Sequence, residues 1–215
     1  NYSSYLIPRI ERAMATNAEE LAAIQATIEG CTLCRLCEKR TNIVFGEGTA
    51  NAKVMFIGEG PGADEDKTGR PFVGRAGQLL NKILQGVGWQ REDVYITNIV
   101  KCRPPGNRDP KEDEMFLCER YLLAQIEAIS PLVIATLGNV PKKYFLGDIG
   151  GITRVRGKLY KWEAGGIDIF PMYHPSYLLR NEARHEGSPK WQTWQDIKAL
   201  EQIVKDKAGE SKGDT

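Results

Sequence analysis

Short runs of apolar residues, each bounded by glycine, proline or polar residues, recur along the chain and predict buried strands. Continuous apolar runs of this kind are typical of parallel strands that are covered on both faces. Residues 152–162 instead alternate between apolar and polar positions, which predicts an exposed strand. The predicted buried strands lie at residues 54–58, 93–100, 132–137 and 167–173.

Helical spacing of apolar residues separates these runs. The first such segment is rich in Ala, Glu, Ile and Leu and lacks internal glycine or proline. The proline-rich segment at residues 104–110 predicts a loop. The predicted helices lie at residues 8–29, 77–87, 111–129, 140–145 and 191–207.

The alternation of strands and helices predicts an α/β fold. We expect three layers, α/β/α, around a central, mainly parallel four-stranded sheet. The chain shows no internal repeat and no clear linker, so residues 31–207 are expected to form a single domain. A helical segment at residues 1–30 is expected to pack on this domain, and residues 208–215 are expected to be a disordered tail.

Chemically rich segments follow three of the predicted strands. They lie at residues 58–62, 97–98 and 174–176, and they contain glycine, carboxylate, amide, imidazole and hydroxyl groups. Ligands of parallel sheets bind beyond the carboxyl ends of the strands. The three segments are therefore expected to face one crevice.

Composition constrains the class of protein and its expected location more than it constrains the activity. The hydrophobic fraction of 41% and the charged fraction of 27% are ordinary for a soluble globular protein. No apolar run approaches the ~20 residues that span a bilayer, so we expect a cytoplasmic protein. The net charge of +1 predicts no overall attraction to nucleic acid. Basic residues nevertheless gather in predicted loops, which form either a phosphate-contacting face or simply solvated loops.

Four of the five cysteines fall into two pairs, and this grouping predicts a metal centre. Cys31 and Cys34 form the first pair, and Cys102 and Cys118 form the second. Nothing in the chain resembles a disulfide framework. Four thiolates bind either an iron–sulfur cluster or zinc, and the spacing leaves both open. Cys37 is the odd residue, and Cys34 to Cys37 is also a Cys-x-x-Cys.

Three motifs occur in a fixed order along the chain. They are Gly-Glu-Gly-Pro-Gly-Ala-Asp-Glu-Asp-Lys-Thr-Gly-Arg-Pro-Phe-Val-Gly at residues 58–74, Tyr-Ile-Thr-Asn-Ile-Val-Lys-Cys-Arg-Pro-Pro at residues 95–105 and His-Pro-Ser-Tyr-Leu-Leu-Arg at residues 174–180. Together they resemble the motifs of the family 4 uracil-DNA glycosylases, over about residues 31–204. The resemblance implies an enzyme that flips deoxyuridine out of DNA, hydrolyses its N-glycosidic bond, releases uracil and leaves an abasic site for base-excision repair.

The resemblance also implies a cofactor. Family members carry a [4Fe–4S] cluster, and their ligand pattern matches Cys31, Cys34, Cys102 and Cys118. Replacement of one of the first pair by Cys37 is the alternative. We expect the cluster to be structural, because base excision needs no electrons. We further expect it to shape a basic DNA-contacting surface, which includes Lys101, Arg103 and Arg108.

A uracil pocket is the second implied site. Phe72 is the expected stacking ring, with a core role as the alternative. Asn98 is expected to read the Watson–Crick edge of uracil, with a structural amide as the alternative. His174 is expected to donate a hydrogen bond to uracil O2, and Glu59 to position water or stabilise the sugar cation. The expected catalytic residues are Glu59 and His174, and the expected uracil-binding residues are Gly58, Glu59, Gly60, Phe72, Asn98 and His174.

Residues 176–180 are interpreted as the segment that inserts into DNA. Leu178 or Leu179 is expected to fill the space of the flipped base, and Arg180 is expected to contact a phosphate. The expected DNA-contacting residues are Ser176, Leu178, Leu179 and Arg180. Ordinary packing against the core is the alternative. Asp64, Glu65 and Asp66 are candidates to share the water chemistry of Glu59, with helix capping as the alternative.

The expected partners are uracil-containing DNA and free uracil as product, with no membrane. We expect a monomer in the cytoplasm, associated with the nucleoid if the source is a prokaryote. A non-catalytic DNA-binding module that retains the pocket and the metal cluster is the alternative function. A zinc-stapled α/β hydrolase with an unrelated substrate is a third reading.

Overall fold

The computed structural model describes residues 15–210. Within them, six strands form one mixed sheet: β1 (Glu47–Gly48), β2 (Val54–Gly58), β3 (Tyr95–Asn98), β4 (Val133–Leu137), β5 (Tyr160–Trp162) and β6 (Ile167–Met172). Their order is β1-β3-β2-β4-β6-β5. Strands β3, β2, β4 and β6 run parallel, and β1 and β5 pair antiparallel at the two edges. The predicted α/β fold is confirmed, and the four-stranded parallel sheet is extended by two short edge strands.

Eight α-helices lie in the described part of the chain: α1 (Asn17–Ile28), α2 (Ala63–Thr68), α3 (Arg75–Gln85), α4 (Glu112–Ile129), α5 (Asn139–Leu146), α6 (Ile152–Val155), α7 (Pro175–Arg180) and α8 (Pro189–Glu210). Short 3-10 turns lie at Arg35–Glu38, Arg91–Asp93 and Pro105–Asn107. No helix of residues 15–210 is both long and apolar enough to cross a membrane.

The two faces of the sheet are covered by separate hydrophobic cores. Along β2, Met55 and Ile57 pack into the core that includes residues of α1 and α4. Val54 and Phe56, which point the opposite way, pack into the core that includes residues of α3 and α8. This burial on both faces explains why the strand is continuously apolar.

The first helix begins later than its composition predicts. Residues 8–14 of the predicted helix lie outside the described residues, and residues 15 and 16 are not helical. The Thr16 side chain accepts a hydrogen bond from the Glu19 backbone N–H, and the Glu19 carboxylate accepts one from the Thr16 N–H. This capping box sets the start of α1 at Asn17.

Two further boundaries differ from the prediction. Residues 152–162 are not one strand, because Gly157 has a left-handed backbone (φ +70°) and separates helix α6 from strand β5. The expectation of a disordered tail from residue 208 is also wrong in part. Helix α8 continues to Glu210, and residues 211–215 lie outside the described part.

Chain direction creates a crevice beside β2. The chain passes from β2 to β3 on one side of it and later to β4 on the other, so the strand order switches there. The ends of β2 and β3 are in register, with Gly58 opposite Asn98. Strands β4 and β6 also end together, with Leu137 opposite Met172. Residues that follow these four strand ends are therefore brought to one edge of the sheet.

Candidate active site and cysteine cavity

A cleft of about 700 Å³ opens at the carboxyl ends of the parallel strands. Its wall includes residues from all three segments that were expected to converge, among them Glu59, Gly60, Asn98 and His174, and it also includes Phe72. The structure therefore brings together five of the six predicted uracil-binding residues.

Gly58, the sixth, lies beneath the cleft rather than on its surface. A Cβ atom at this position would lie 2.4 Å from Asn98 Oδ1 and 2.6 Å from Phe72 Cζ. The absence of a side chain therefore allows the amide and the ring to approach each other. Gly60 has a similar constraint, because a Cβ there would lie 2.8 Å from Val100 Cγ2.

Asn98 has an unusual environment for an amide. Its side chain is buried, with a relative exposure of 1%. Its Oδ1 atom has no hydrogen-bond partner among the described residues. A buried polar atom without a partner is costly, and native proteins satisfy nearly all of them. An acceptor in this state beside a cleft is suited to a ligand that donates a hydrogen bond.

His174 is held in a defined tautomer at the N-terminus of α7. The Ser176 backbone N–H donates to His174 Nδ1 over 3.1 Å, so Nδ1 must be the acceptor. Ser176 Oγ lies 2.7 Å from the same nitrogen. Burial, assisted by the positive charge of Arg180, lowers the pKa of His174 to about 4. The imidazole is therefore neutral near pH 7 and carries its proton on Nε2.

Phe72 combines a core position with a place in the cleft. It is 6% exposed and belongs to the core on the α3 side of the sheet. Its ring centroid lies 5.8 Å from that of His174, with the planes tilted by 37°. Its backbone has φ +50°, in the left-handed region that aromatic residues rarely adopt. The two interpretations of Phe72, core and pocket, are therefore not exclusive.

Glu59 supplies a carboxylate to the cleft. Burial, followed by the negative charge of Asp109, raises the pKa of Glu59. Asp109 also lines the cleft. It was not among the sequence candidates, and its place in a polar Asn-Arg-Asp-Pro loop carries no signal that distinguishes it from a solvated carboxylate.

The acidic residues that follow Glu59 have different positions. Glu65 Oε1 accepts from the backbone N–H groups of Val73 and Gly74, each over 2.9 Å. Asp66 is buried and its Oδ1 accepts from the Thr41 N–H over 2.8 Å. Asp66 is thus committed to the backbone, and the expectation that it shares water chemistry is wrong. Glu65 lines the cleft, but its bonds to backbone N–H groups favour the capping alternative.

The segment after His174 forms a short helix, α7. Leu178 is 1% exposed, so the expectation that it can wedge into DNA is wrong for this conformation. Ser176 is engaged with His174 through both its hydroxyl and its N–H. Leu179 is partly buried and Arg180 is exposed, so these two remain accessible.

The cysteines face a second, small cavity. All five are free of disulfide bonds. No group of three or more His, Cys, Asp or Glu side chains in the described residues has the arrangement of a metal-ion site. The Lys101 backbone N–H donates to Cys118 Sγ over 3.3 Å, and Arg40 Nη1 donates to Cys102 Sγ over 3.4 Å. The cavity is lined by residues that include Cys31, Cys34, Cys37, Arg40, Cys102 and Cys118.

Lys101 is wrongly predicted as a DNA-contacting residue. Its side chain is fully buried, and Nζ donates to Thr97 Oγ1, Asn98 O and Gln125 Oε1 over 2.5, 2.8 and 2.6 Å. A side chain whose terminal nitrogen has three acceptors and no access to solvent cannot reach a phosphate. The other two predicted basic residues lie at the surface, where Arg103 bonds to Asn107 Oδ1.

Arg108 is the second of these surface residues, and it is paired. Its guanidinium contacts both carboxylate oxygens of the buried Glu114. Arg108 also lines the cleft. Its charge is therefore partly compensated, whereas Arg103 interacts with a neutral amide.

Comparison with known proteins agrees with this geometry. A family model described as Uracil DNA glycosylase superfamily matches residues 45–198. The chain is 50% identical over 171 residues to the type-4 uracil-DNA glycosylase of Thermotoga maritima, across 79% of this chain and 88% of that protein. The corresponding values are 48% over 170 residues for Sulfurisphaera tokodaii (76% and 77%) and 44% over 175 residues for Archaeoglobus fulgidus (78% and 88%). The chain belongs to the Uracil DNA glycosylase superfamily and, within it, to the type-4 uracil-DNA glycosylases.

Proposed function

We propose that this protein excises uracil from DNA by hydrolysis of the N-glycosidic bond. The observation that carries the proposal is the buried Oδ1 of Asn98, which lacks a partner and lines the same cleft as Phe72 and His174. The names of its type-4 relatives support the same activity. The target base is inaccessible inside a duplex, so the nucleotide must rotate out of the stack to enter the cleft.

Uracil is recognised by its hydrogen-bonding edge. Asn98 Oδ1 accepts from uracil N3–H, and Asn98 Nδ2 donates to O4. Cytosine presents an acceptor at N3 and a donor at the exocyclic amine. The acceptor would face Asn98 Oδ1, also an acceptor, and the donor would face Asn98 Nδ2, also a donor. The mismatch leaves buried polar atoms unpaired, which costs about 1–3 kcal/mol for each group. Phe72 stacks on the base, which contributes roughly 1–3 kcal/mol without regard to its identity.

His174 stabilises the departing base. As the N-glycosidic bond breaks, negative charge develops on uracil O2, and the Nε2–H of a neutral imidazole donates to it. The Ser176 N–H sets this tautomer before the substrate arrives. A neutral donor suits the task because the ring keeps its proton and needs no transfer.

Glu59 acts on the other half of the broken bond. Its carboxylate positions water and stabilises the positive charge that develops on the sugar. The carboxylate of Asp109 adds negative charge near Glu59. Because both carboxylates line the cleft, they oppose the oxocarbenium-like sugar with more charge than one group provides. Leu179 and Arg180 are the accessible residues of α7 for contact with the distorted DNA strand.

We propose that Cys31, Cys34, Cys102 and Cys118 hold a [4Fe–4S] cluster. These four thiols line one small cavity together with Cys37. Four thiolates can hold either zinc or an iron–sulfur cluster, and membership of the type-4 uracil-DNA glycosylases favours the cluster. Arg40 Nη1 donates to Cys102 Sγ, and the Lys101 backbone N–H donates to Cys118 Sγ. Such hydrogen bonds stabilise sulfurs that act as thiolate ligands. When bound, the cluster supplies structural cross-linking between residues 31–34 and 102–118.

The decisive experiment measures uracil release from single-stranded, U·G and U·A oligonucleotides. The purified protein is expected to release uracil, and Glu59→Gln is expected to release it much more slowly while still binding DNA. A protein that binds uracil-containing DNA without any release would instead be a non-catalytic module. Release at the wild-type rate by Glu59→Gln would refute the role of that carboxylate.

A further inference from the structure

The backbone at Phe72 is held in a conformation that the residue does not prefer. Its φ of +50° lies in the left-handed region, where the side chain of an L-residue crowds its own backbone. Such residues persist only where the surrounding structure determines them, and they concentrate at functional sites. The contacts of the segment 71–74 therefore show what orients the ring.

Arg91 makes two of these contacts, both with backbone carbonyls. Its Nη2 donates to Pro71 O over 2.6 Å and its Nη1 donates to Phe72 O over 3.0 Å. The same Nη1 bonds to Asn81 Oδ1 in α3 over 2.9 Å. The side chain is only 13% exposed, so these bonds form largely away from water. A guanidinium fork holds two successive carbonyls, which defines the peptide plane between them.

Glu47 completes the arrangement by fixing the guanidinium. Its Oε1 accepts from Arg91 Nε over 2.7 Å and lies 2.5 Å from Nη2. Glu47 belongs to β1 and is paired with Ile96 of β3, the strand that ends at Asn98. Arg91 itself lies in the turn before β3. The loop of the stacking ring is thus attached to the same strand that carries the edge-reading amide.

The other side of Phe72 is held by an opposite charge. Glu65 Oε1 accepts from the N–H groups of Val73 and Gly74, each over 2.9 Å. Gly77 in α3 leaves room for the Phe72 carbonyl, since a Cβ there would lie 1.8 Å from that oxygen. A cation holds the carbonyls before the turn, and an anion holds the amides after it.

We propose that Arg91 is a positioning residue for the uracil pocket, which keeps Phe72 in its left-handed conformation and its ring parallel to the incoming base. This inference rests on the proposed function, because it gives Phe72 the role of stacking on uracil. Without the guanidinium, the segment 71–74 relaxes toward negative φ at Phe72 and the ring leaves its place beside His174. The base is then held by its edge alone.

Binding of free uracil to the purified protein tests the proposal, by isothermal titration or intrinsic fluorescence. Arg91→Met is expected to weaken uracil binding about 10-fold, within the range for loss of a stacking ring. Arg91→Lys keeps the charge opposite Glu47 but has no fork, and it is expected to weaken binding less. The matched control is Arg70→Met. Arg70 binds the same Glu47 and is 62% exposed, and its guanidinium forms hydrogen bonds with Glu47 rather than with the carbonyls of residues 71 and 72. Its variant is expected to bind uracil as the wild type does.

A double-mutant cycle with Phe72→Ala separates positioning from general stability. If Arg91 acts through the ring, Arg91→Met has no further effect on uracil binding in the Phe72→Ala background. Thermal melting of each variant is measured alongside. Should Arg91→Met fail to fold, the same cycle is run with Arg91→Lys.

Three results would overturn the inference, and they are distinguishable. If Phe72→Ala weakens uracil binding but Arg91→Met or Arg91→Lys weakens it equally in both backgrounds, the guanidinium does not act through Phe72. If Phe72→Ala itself binds uracil like the wild type, the stacking role fails, and the positioning role fails with it. Wild-type affinity in both Arg91 variants would also exclude it.

Discussion

The cleft and the cysteine cavity adjoin the same short stretch of chain, but their polar groups are in opposite states. Asn98 Oδ1 is buried in the cleft without a partner, whereas Lys101 Nζ is buried with three acceptors. One of those acceptors is the backbone carbonyl of Asn98 itself. The Lys101 N–H in turn donates to Cys118 Sγ. Of these two buried groups, the satisfied one belongs to the scaffold, and the unsatisfied one is available to a ligand.

The largest expected effect concerns the cleft. His174→Ala removes the donor to uracil O2 and is expected to lower the single-turnover rate of uracil release by about 10²–10³-fold. Binding of uracil-containing DNA is expected to change far less. His185→Ala, at an exposed position outside the cleft, is the control. Equal losses of cleavage and of DNA binding would contradict the leaving-group role.

The next effect concerns the cysteine cavity. Cys118→Ser is expected to abolish the iron and sulfide content of the purified protein and to lower its Tm by about 6–12 °C, roughly 3 kcal/mol. Cys37 also lines the cavity, and the Cys37→Ser variant is expected to keep the cluster. Stoichiometric zinc in the wild type would refute the iron assignment, and loss of the cluster in Cys37→Ser would place that residue among the ligands.

Asn98→Asp tests whether the unpartnered oxygen reads the base. A carboxylate has no donor for uracil O4, so uracil release is expected to fall roughly 100-fold near neutral pH. At low pH the protonated carboxyl is expected to admit cytosine. Asn107→Asp, which adds the same charge at an exposed position of the cleft, is the control. An unchanged preference for uracil over cytosine at every pH would argue against edge reading.

Lys101→Met tests the satisfied group. The change leaves buried acceptors without their donor, and the free energy of unfolding is expected to fall by about 2 kcal/mol. The salt dependence of DNA binding is expected to stay unchanged, because Lys101 has no access to phosphate. Arg103→Met, at the surface, is expected to reduce the slope of log K against log salt by about 1. A reduced slope in Lys101→Met would show that the buried state is not the one that binds DNA.

The smallest effect is the pH dependence of stability that His174 contributes. Its pKa is about 4 in the folded protein against 6.5 ordinarily, so the unfolded chain binds a proton first as pH falls. Stability is therefore complete above pH 6.5 and declines between pH 6.5 and about 4. Relative to His174→Gln, the wild type is expected to lose about 1 kcal/mol between about pH 7 and pH 5.5. Parallel stability curves from urea unfolding would contradict the lowered pKa.

Sequence patterns were most informative where residue type and residue order alone determine the structure. The apolar runs predicted the four parallel strands, because strands buried on both faces have no polar positions. They were least informative at residues 152–162, where a glycine in the left-handed region ended an apparent alternation. The prediction that Leu178 inserts into DNA was wrong for a related reason, because apolar character alone does not distinguish a wedge from a core residue.

Polar residues in apolar surroundings show most clearly what cannot be predicted from the sequence. Asn98 and Lys101 are close neighbours in one motif, and each was assigned a contact with DNA or its base. Only the fold distinguishes them, because the partners of Lys101 include Gln125 of α4, which is distant in the chain. Arg91 was not a candidate at all, since its role depends on carbonyls of residues 71 and 72 and on Glu47.

The sequence by itself determined the family motifs, the parallel sheet and the set of side chains with the right chemistry at the strand ends. The tertiary structure alone decided which of those side chains are satisfied, which are accessible and which orient others. The physical reason is that residue type and periodicity are local properties of the chain. A hydrogen-bond partner, a desolvated pKa or a constrained backbone depends on groups that only folding brings together.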